Sequence, residues 1–212
     1  MGFCKDFLWG VGTSAYQIEG AAAEDGRAPS VWDQYCHEEG GHIACGHTGD
    51  VACDHYHRYK EDVQLMQELG IRSYRFSLSW SRILPDGIGA VNQKGIDFYN
   101  NLIDELLKNG ITPCITLFHW DYPYALQKMG AWLNPESADW FAYYTEVAAK
   151  AFGDRVKWFI TFNEPQCFLG MGYFDGCNAP GKRHGLEDMA QMLHNMFLAH
   201  GKSVLAIRKY VK

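Results

Sequence analysis

Four short clusters of polar and aromatic side chains could bind and cleave a polar small molecule. Aromatic rings stand there beside amide, imidazole, guanidinium and carboxylate groups. This combination suits a sugar, whose ring has an apolar CH face for stacking and whose hydroxyls need paired donors and acceptors. The clusters occupy residues 16–19, 80–82, 119–121 and 163–165.

Glu164 is the sharpest candidate for catalysis, because it follows the apolar run 158–160. Partial burial after such a run disfavours the ionised carboxylate and raises its pKa toward that of a general acid. A glutamate at this position could also be solvated or paired with a nearby arginine. The position of Glu164 and its sequence neighbours alone do not decide between a general acid, a solvated glutamate and an ion-paired one.

The elements that must position these clusters follow from the apolar periodicity, which switches repeatedly between two and about 3.6 residues. It predicts strands over 7–15, 74–81, 111–119 and 156–162. Helices are predicted after each strand, including one over 93–109 and one that opens with Asn134 as its N-cap. Strands alternating with helices imply parallel pairing, which places the four clusters at one edge of the sheet.

The fold class predicted is α/β, as part of a (β/α)8 barrel. Polar residues such as Arg75, Ser77 and Thr116 lie in strands that a doubly wound sheet would fill with apolar side chains. A complete barrel needs eight strand–helix units, and only four are found in the 212 residues. We therefore expect a single domain over 1–212 that forms half a barrel with long loops.

Several motifs resemble those of glycoside hydrolase family 1, the β-glucosidase family. Residues 161–165, with the sequence TFNEP, resemble its acid/base signature. Residues 7–10 and 14–20 resemble its N-terminal signature, while 74–83 and 117–121 are similar to its second and third strands. The order and spacing agree along essentially the whole chain. The resemblance covers the N-terminal half of a family member.

This resemblance implies a role for each matching residue. Glu164 would protonate the glycosidic oxygen and later activate water, while Asn163 would bind the sugar 2-hydroxyl. Gln17, His119 and Trp120 would bind the other hydroxyls of the sugar. Arg75 would lie beneath the site and hold the nucleophile ionised. The implied substrate is a β-glucoside or a related small saccharide, cleaved with retention and without a cofactor.

The second carboxylate of a retaining glycosidase has no counterpart in this sequence. Family members carry the nucleophile in a later Glu-Asn-Gly segment, and no such segment occurs here. Neither Glu19 nor Asp121 is expected to replace it. We therefore expect the isolated chain to be inactive or very weakly active without a C-terminal barrel half. Self-association through open strand edges and a noncatalytic carbohydrate-binding half-barrel remain alternatives.

Composition excludes several other classes. Nineteen basic against 25 acidic side chains give a formal charge of −6, the wrong sign for a nucleic-acid binder. No apolar run reaches the roughly 18 residues of a membrane helix, and the first residues lack a secretory signal. We expect a soluble, cytoplasmic protein whose seven cysteines stay reduced.

A metal-binding protein is the main rival from another class. Cysteines and histidines crowd one loop region, and both are zinc ligands. No Cys-x-x-Cys pair occurs and the spacing fits no familiar structural zinc site, so no metal is expected. The residues concerned are Cys36, His37, His42, Cys45, His47, Cys53, His55 and His57.

Overall fold

A computed structural model of the chain, describing residues 2–38 and 41–212, contains one sheet of four parallel strands. The strands are neighbours in sequence order, and each pairs with the next. Since parallel neighbours need long connections, the helices between them follow directly from this topology. The strands are β1 (Gly10–Gly12), β2 (Ser73–Ser77), β3 (Thr112–Phe118) and β4 (Trp158–Phe162).

The long helices cover the sheet, and the short helices lie in the connections at its carboxyl edge. Helix α5 has the apolar spacing of an amphipathic helix and buries Ile96, Tyr99, Leu102 and Leu106. The helices are α1 (Ala15–Ile18), α2 (Val31–His37), α3 (His55–Glu68), α4 (Trp80–Ile83), α5 (Gln93–Lys108), α6 (Tyr124–Gln127), α7 (Ser137–Phe152), α8 (Pro165–Leu169) and α9 (Leu186–Tyr210). Short 3-10 helices span Ala44–Gly46 and Ala131–Leu133, and a π-helical turn spans Gly170–Phe174.

The core between β3 and the outer helices is rich in aromatic rings. Trp80 stacks on Tyr144 with ring centroids 4.8 Å apart, and Phe141 stacks on Phe162 at 4.5 Å. Trp80, Phe141 and Tyr144 are fully buried. Large rings bury much apolar surface for each ordered side chain, so this cluster fixes α7 against the sheet.

Three predicted boundaries are wrong. Strand β1 is much shorter than 7–15, because Ser14 already precedes helix α1. Strand β2 ends at Ser77 rather than residue 81, since the chain turns into helix α4 at Trp80. Asn134 does not cap α7; its side chain instead accepts a hydrogen bond from the Glu136 backbone N–H at 2.9 Å, and the helix begins at Ser137.

The outer strands β1 and β4 are each paired on one side only within the described residues. Apolar side chains near these edges are exposed: Trp158 to 60% on β4 and Phe197 to 61% on α9. None of the described helices has the length and apolar character needed to traverse a lipid bilayer.

Candidate active site

The carboxyl ends of the four strands bring the predicted site residues to one edge of the sheet. Gln17 lies on α1 after β1, His119 and Trp120 follow β3, and Asn163 and Glu164 follow β4. Gln17, His119 and Trp120 line one cavity of about 390 Å³. Its volume is within the range of small-molecule sites. The structure thus brings together residues separated by more than 100 positions in sequence.

Arg75 connects β2 to the loop after β4. Its Nε donates to Thr116 Oγ1 at 2.8 Å, and its Nη2 donates to Asn163 Oδ1 at 2.7 Å. A guanidinium only donates hydrogen bonds, so the Asn163 end that faces Arg75 must be the amide oxygen. The Asn163 amide orientation therefore follows from Arg75.

The nitrogen of the Asn163 side-chain amide faces His119. Asn163 Nδ2 lies 3.2 Å from His119 Nε2. Since an amide nitrogen donates, His119 Nε2 accepts, and the imidazole is neutral with its proton on Nδ1. Burial, together with the positive charge of Arg75, lowers the pKa of His119 to about 4, in agreement with a neutral ring. A neutral imidazole suits hydrogen bonding to an uncharged hydroxyl group.

Trp120 is held in an uncommon backbone conformation. Its φ is 80°, in the left-handed region that a tryptophan rarely adopts. Its indole Nε1–H donates to the backbone carbonyl of Asn163 at 2.9 Å, and its ring lies 5.8 Å from that of His119. The loops after β3 and β4 are thus joined at the site, with an aromatic face beside the polar groups.

Glu164 occupies the N-cap position of α8, also with left-handed backbone (φ 45°, ψ 65°). Pro165 begins the helix, and the Asn163 backbone N–H still donates to Phe118 O at 3.0 Å. The chain therefore turns sharply between the last sheet hydrogen bond and the helix. Glu164 is exposed in this structure, so the expected partial burial is wrong.

The two carboxylates considered as substitute nucleophiles are both buried. Glu19 is 4% exposed and accepts hydrogen bonds from Arg82 Nε at 3.1 Å and from the Tyr99 hydroxyl at 2.6 Å. Asp121 is 1% exposed. A nucleophile must approach the reacting carbon directly, and these side chains lie beneath the rim instead.

Three histidines in the region from β1 to the first turn of helix α3 pair with acidic side chains. His37 Nε2 lies 3.0 Å from Asp50, His42 Nε2 lies 2.9 Å from Glu38, and His57 Nδ1 lies 2.6 Å from Asp54. Within residues 2–38 and 41–212, no group of three or more histidine, cysteine or acidic side chains could hold a metal ion.

Sequence reasoning missed two residues of this site, Thr116 and Trp32. Thr116 is fully buried and orients Arg75; its polar type in an otherwise apolar stretch of β3 was the available signal. Trp32 lines the cavity beside Gln17 and Tyr16, and Tyr16 belongs to the predicted cluster 16–19. Trp32 lies on helix α2, in the long stretch after β1 that was predicted as a loop.

Comparisons with known proteins identify the family of this chain. The model of glycosyl hydrolase family 1 matches residues 1–212. Beta-glucosidase A of Acetivibrio thermocellus is 53% identical over 207 residues, covering 98% of this chain and 46% of the relative. Beta-glucosidase A of Thermotoga maritima is 51% identical over 210 residues, covering 99% and 47%.

Solved structures give the same result for the fold. The beta-glucosidase from Thermotoga maritima in complex with glucoimidazole aligns with a TM-score of 0.96 and 51% identity, covering 99% of this chain and 47% of that one. The complex of that enzyme with deoxynojirimycin also aligns at 0.96. The predicted α/β half-barrel is confirmed, and the chain spans about half the length of the relatives it matches.

Proposed function

The chain belongs to glycosyl hydrolase family 1, and on this premise we propose that it supplies the acid/base half of a retaining β-glucosidase. Hydrolysis would remove a terminal β-glycosyl residue from a glucoside or related small saccharide. Glu164 protonates the glycosidic oxygen in the first step and activates water in the second. The nucleophile and the rest of the sugar site come from a C-terminal barrel half.

The observation that carries the proposal is the ordered array of Arg75, Asn163 and His119 beside Glu164. One arginine sets the direction of the Asn163 amide, and that amide sets the protonation of His119. The hydrogen bonds that join the three side chains are thus defined before any sugar arrives. Such preorganisation is what recognition of sugar hydroxyls in a fixed pose requires.

The remaining roles follow from position in the site. Gln17, His119 and Trp120 line the cavity and bind hydroxyls of the nonreducing sugar, with Trp120 also offering an aromatic face. Asn163 binds the 2-hydroxyl through its Nδ2, because its oxygen is occupied by Arg75. The Nη1 of Arg75 takes part in neither of the two hydrogen bonds described above. In the complete site it would pair with the carboxylate of the nucleophile.

The partner proposed is the C-terminal half of a barrel. Residues 1–212 would form one folding unit, and the missing half would pair with β1 and β4 and cover the exposed Trp158 and Phe197. Open strand edges favour such pairing because their backbone groups lack partners. The named relatives are about twice as long as this chain, which supports a second half of similar size.

The test is turnover of an aryl β-glucoside by this chain alone and after mixing with a separately made C-terminal half of a related enzyme. Activity is expected only in the mixture, and Glu164→Gln should abolish it. Glu61→Gln, on the exposed face of α3, is the matched control and should leave it unchanged. If the chain alone turns over the glucoside and Glu164→Gln abolishes this activity, the proposal that the nucleophile comes from a C-terminal half is contradicted.

A self-associating half-barrel that binds sugar without hydrolysis is the second candidate, favoured by the exposed apolar side chains at both sheet edges. Light scattering of the purified chain separates it from the first. A stable monomer would count against self-association, whereas a dimer that binds glucoimidazole but never turns over a glucoside would favour it.

The cellular location is also a proposal. All seven cysteines are free in the structure, including the exposed Cys4, Cys45, Cys53 and Cys177. Free exposed thiols are typical of proteins from a reducing compartment, which supports a cytoplasmic location. Detection of the protein in a cytosolic fraction, by antibody against this chain, would test it.

A further inference from the structure

One wall of the site cavity comes from a short segment between helices α2 and α3. This wall segment, residues 47–52, borders the cavity of about 390 Å³ in which Gln17 lies. Most of its residues are exposed, so they bury little surface that could hold the segment in place. Its position must therefore come from individual contacts. The members of the wall segment that line the cavity are His47, Thr48, Gly49 and Ala52.

The hydroxyl group of Tyr16 makes two hydrogen bonds at this wall. The Gly49 backbone N–H donates to the Tyr16 hydroxyl oxygen at 3.2 Å, and the same hydroxyl donates to the backbone carbonyl of Trp32 at 3.2 Å. A phenol can donate one hydrogen bond and accept another at the same time. Tyr16, which lies on α1 beside Gln17, therefore joins the wall segment to helix α2.

The backbone of Gly49 also packs against the ring of Tyr16. A Cβ atom at Gly49 would lie 2.7 Å from Tyr16 Cζ and 3.0 Å from both Cε1 and Cε2. Carbon atoms in favourable contact are about 3.5–4.0 Å apart, so only glycine fits here without a shift of the ring or the backbone. The Trp32 ring lies 5.8 Å from the Tyr16 ring. The phenol is thus in contact with the wall segment through both its ring and its hydroxyl group.

A second close approach joins the wall segment to the end of α1. Gly20 has a φ of 66°, and a Cβ atom there would lie 2.2 Å from Val51 O. Glycine tolerates both the left-handed conformation and the missing space. Asp50 Oδ2 also lies 3.0 Å from His37 Nε2 on α2. The wall segment therefore lies directly on the backbone of α1, with Tyr16 between it and α2.

We propose that Tyr16 is a positioning residue, which fixes the wall segment against helices α1 and α2 and so sets the width of the cavity beside Gln17. Its hydroxyl group orders the Gly49 and Trp32 backbones together, and its ring limits how closely the wall segment approaches. The relevance to sugar binding rests on the proposed function, in which Gln17 binds a sugar hydroxyl. The placement of the wall segment is a property of this chain by itself.

The first measurement is hydrogen exchange of the chain by NMR. Tyr16→Phe keeps the ring and removes both hydrogen bonds, so protection of the Gly49 amide should fall about tenfold. This fall should exceed any change at the amides of α5. Tyr143→Phe removes a hydroxyl that donates to Gly89 O at 2.8 Å and is the matched control, which should leave the Gly49 amide unchanged. Unchanged protection in Tyr16→Phe, or an equal fall throughout α5, would overturn the proposal.

The second measurement is a double-mutant cycle in urea unfolding. Gly49→Ala places a methyl group against the phenol and should raise the unfolding constant about tenfold in the wild type. With Tyr16→Ala already present, the same change should alter that constant less than about twofold, because the methyl group has space. If Tyr16→Ala fails to fold, Tyr16→Leu, whose side chain ends short of the Cζ position, takes its place. Equal effects in both backgrounds would contradict the packing of Gly49 on Tyr16.

The third measurement uses the mixture with a C-terminal half and an aryl β-glucoside. Tyr16→Phe should raise KM about threefold or more and change kcat less than about twofold, because the cavity width affects binding of substrate and transition state alike. A fall in kcat with KM unchanged would contradict positioning of the cavity wall. If the wild-type mixture shows no turnover, the proposed function fails. The exchange and unfolding results still decide whether Tyr16 places the wall segment, so the two proposals fail separately.

Discussion

Arg75 Nη2 donates to Asn163 Oδ1 at 2.7 Å and so joins β2 to the end of β4 across the intervening strand β3. The same guanidinium is held on β3 by Thr116 at 2.8 Å. One side chain therefore positions residues from three strands, and the site depends on the parallel register of all three. Through Asn163, the protonation of His119 therefore depends on Arg75, which is 44 positions away in sequence.

Replacing Arg75 by glutamine should raise the pKa of His119. The positive charge of Arg75 is one of the two causes that hold this pKa at about 4, and burial, the larger cause, remains. The pKa should therefore move upward and stay below 6.5. An NMR titration of the His119 ring would measure it, with Arg72→Gln, an exposed arginine just before β2, as the control. An unchanged pKa would contradict the electrostatic link.

His119 should also make stability depend on pH in the acid range. Its pKa is lowered from 6.5 to about 4, so the unfolded state binds a proton more readily. Stability is therefore lost as pH falls from about 6.5 to 4. The full shift corresponds to ~3 kcal/mol, reduced to about 1–2 kcal/mol because the ring is partly exposed.

Urea unfolding of the wild type and His119→Gln at pH 4.5 and 7 would test this. The difference between the two proteins removes the contribution of carboxylates that titrate in the same range. The wild type should lose more stability on acidification than the variant. Parallel losses in both proteins would show that His119 does not titrate abnormally.

The periodicity of apolar residues was enough to predict the helix over 93–109, because burial of one helical face determines both the pattern and the fold. It also placed the polar clusters at one edge, since parallel strands share direction. The conformation of Trp120 and the contact between Arg75 and Asn163 could not be predicted locally, because strand register across β3 creates them. Asn134 formed a turn instead of a cap, since both conformations use the same side-chain oxygen.

Glu164 should carry backbone strain that glycine relieves. Its φ of 45° is unfavourable for a residue with a Cβ atom, at a cost of roughly 1 kcal/mol. Glu164→Gly should therefore be more stable than Glu164→Ala by about that amount, measured by urea unfolding. In the control pair on helix α3, Glu61→Gly should be less stable than Glu61→Ala by ~1 kcal/mol. The same order at both positions would argue against strain at Glu164.

The buried pair of Arg82 and Glu19 should contribute far more to stability than an exposed pair. Arg82 is fully buried, and its guanidinium also lies 4.3 Å from the centre of the Tyr56 ring. Arg82→Met leaves Glu19 charged without its ion-pair partner, which should cost about 3–5 kcal/mol. Arg58→Met breaks the exposed contact with Glu61 and should cost less than about 1 kcal/mol. Equal losses would contradict this order.

Adjacent residues on α9 should respond in opposite ways to the same substitution. Met196 is 2% exposed and packs in the core, whereas Phe197 is 61% exposed on the side that the proposed barrel half would cover. Met196→Gln buries a polar amide in place of an apolar side chain and should cost roughly 2–4 kcal/mol in urea unfolding. Phe197→Gln should change stability by less than about 1 kcal/mol, because the ring gives up little buried surface.

The same Phe197→Gln variant tests the exposed edge. Removing a large exposed ring lowers the apolar area that drives association, so light scattering should show less self-association than in the wild type. In the mixture with a C-terminal half, the variant should need a higher concentration of that half to reach the same turnover. If Phe197→Gln instead lowers stability as much as Met196→Gln, this side of α9 is covered within the chain itself and is not available to a partner.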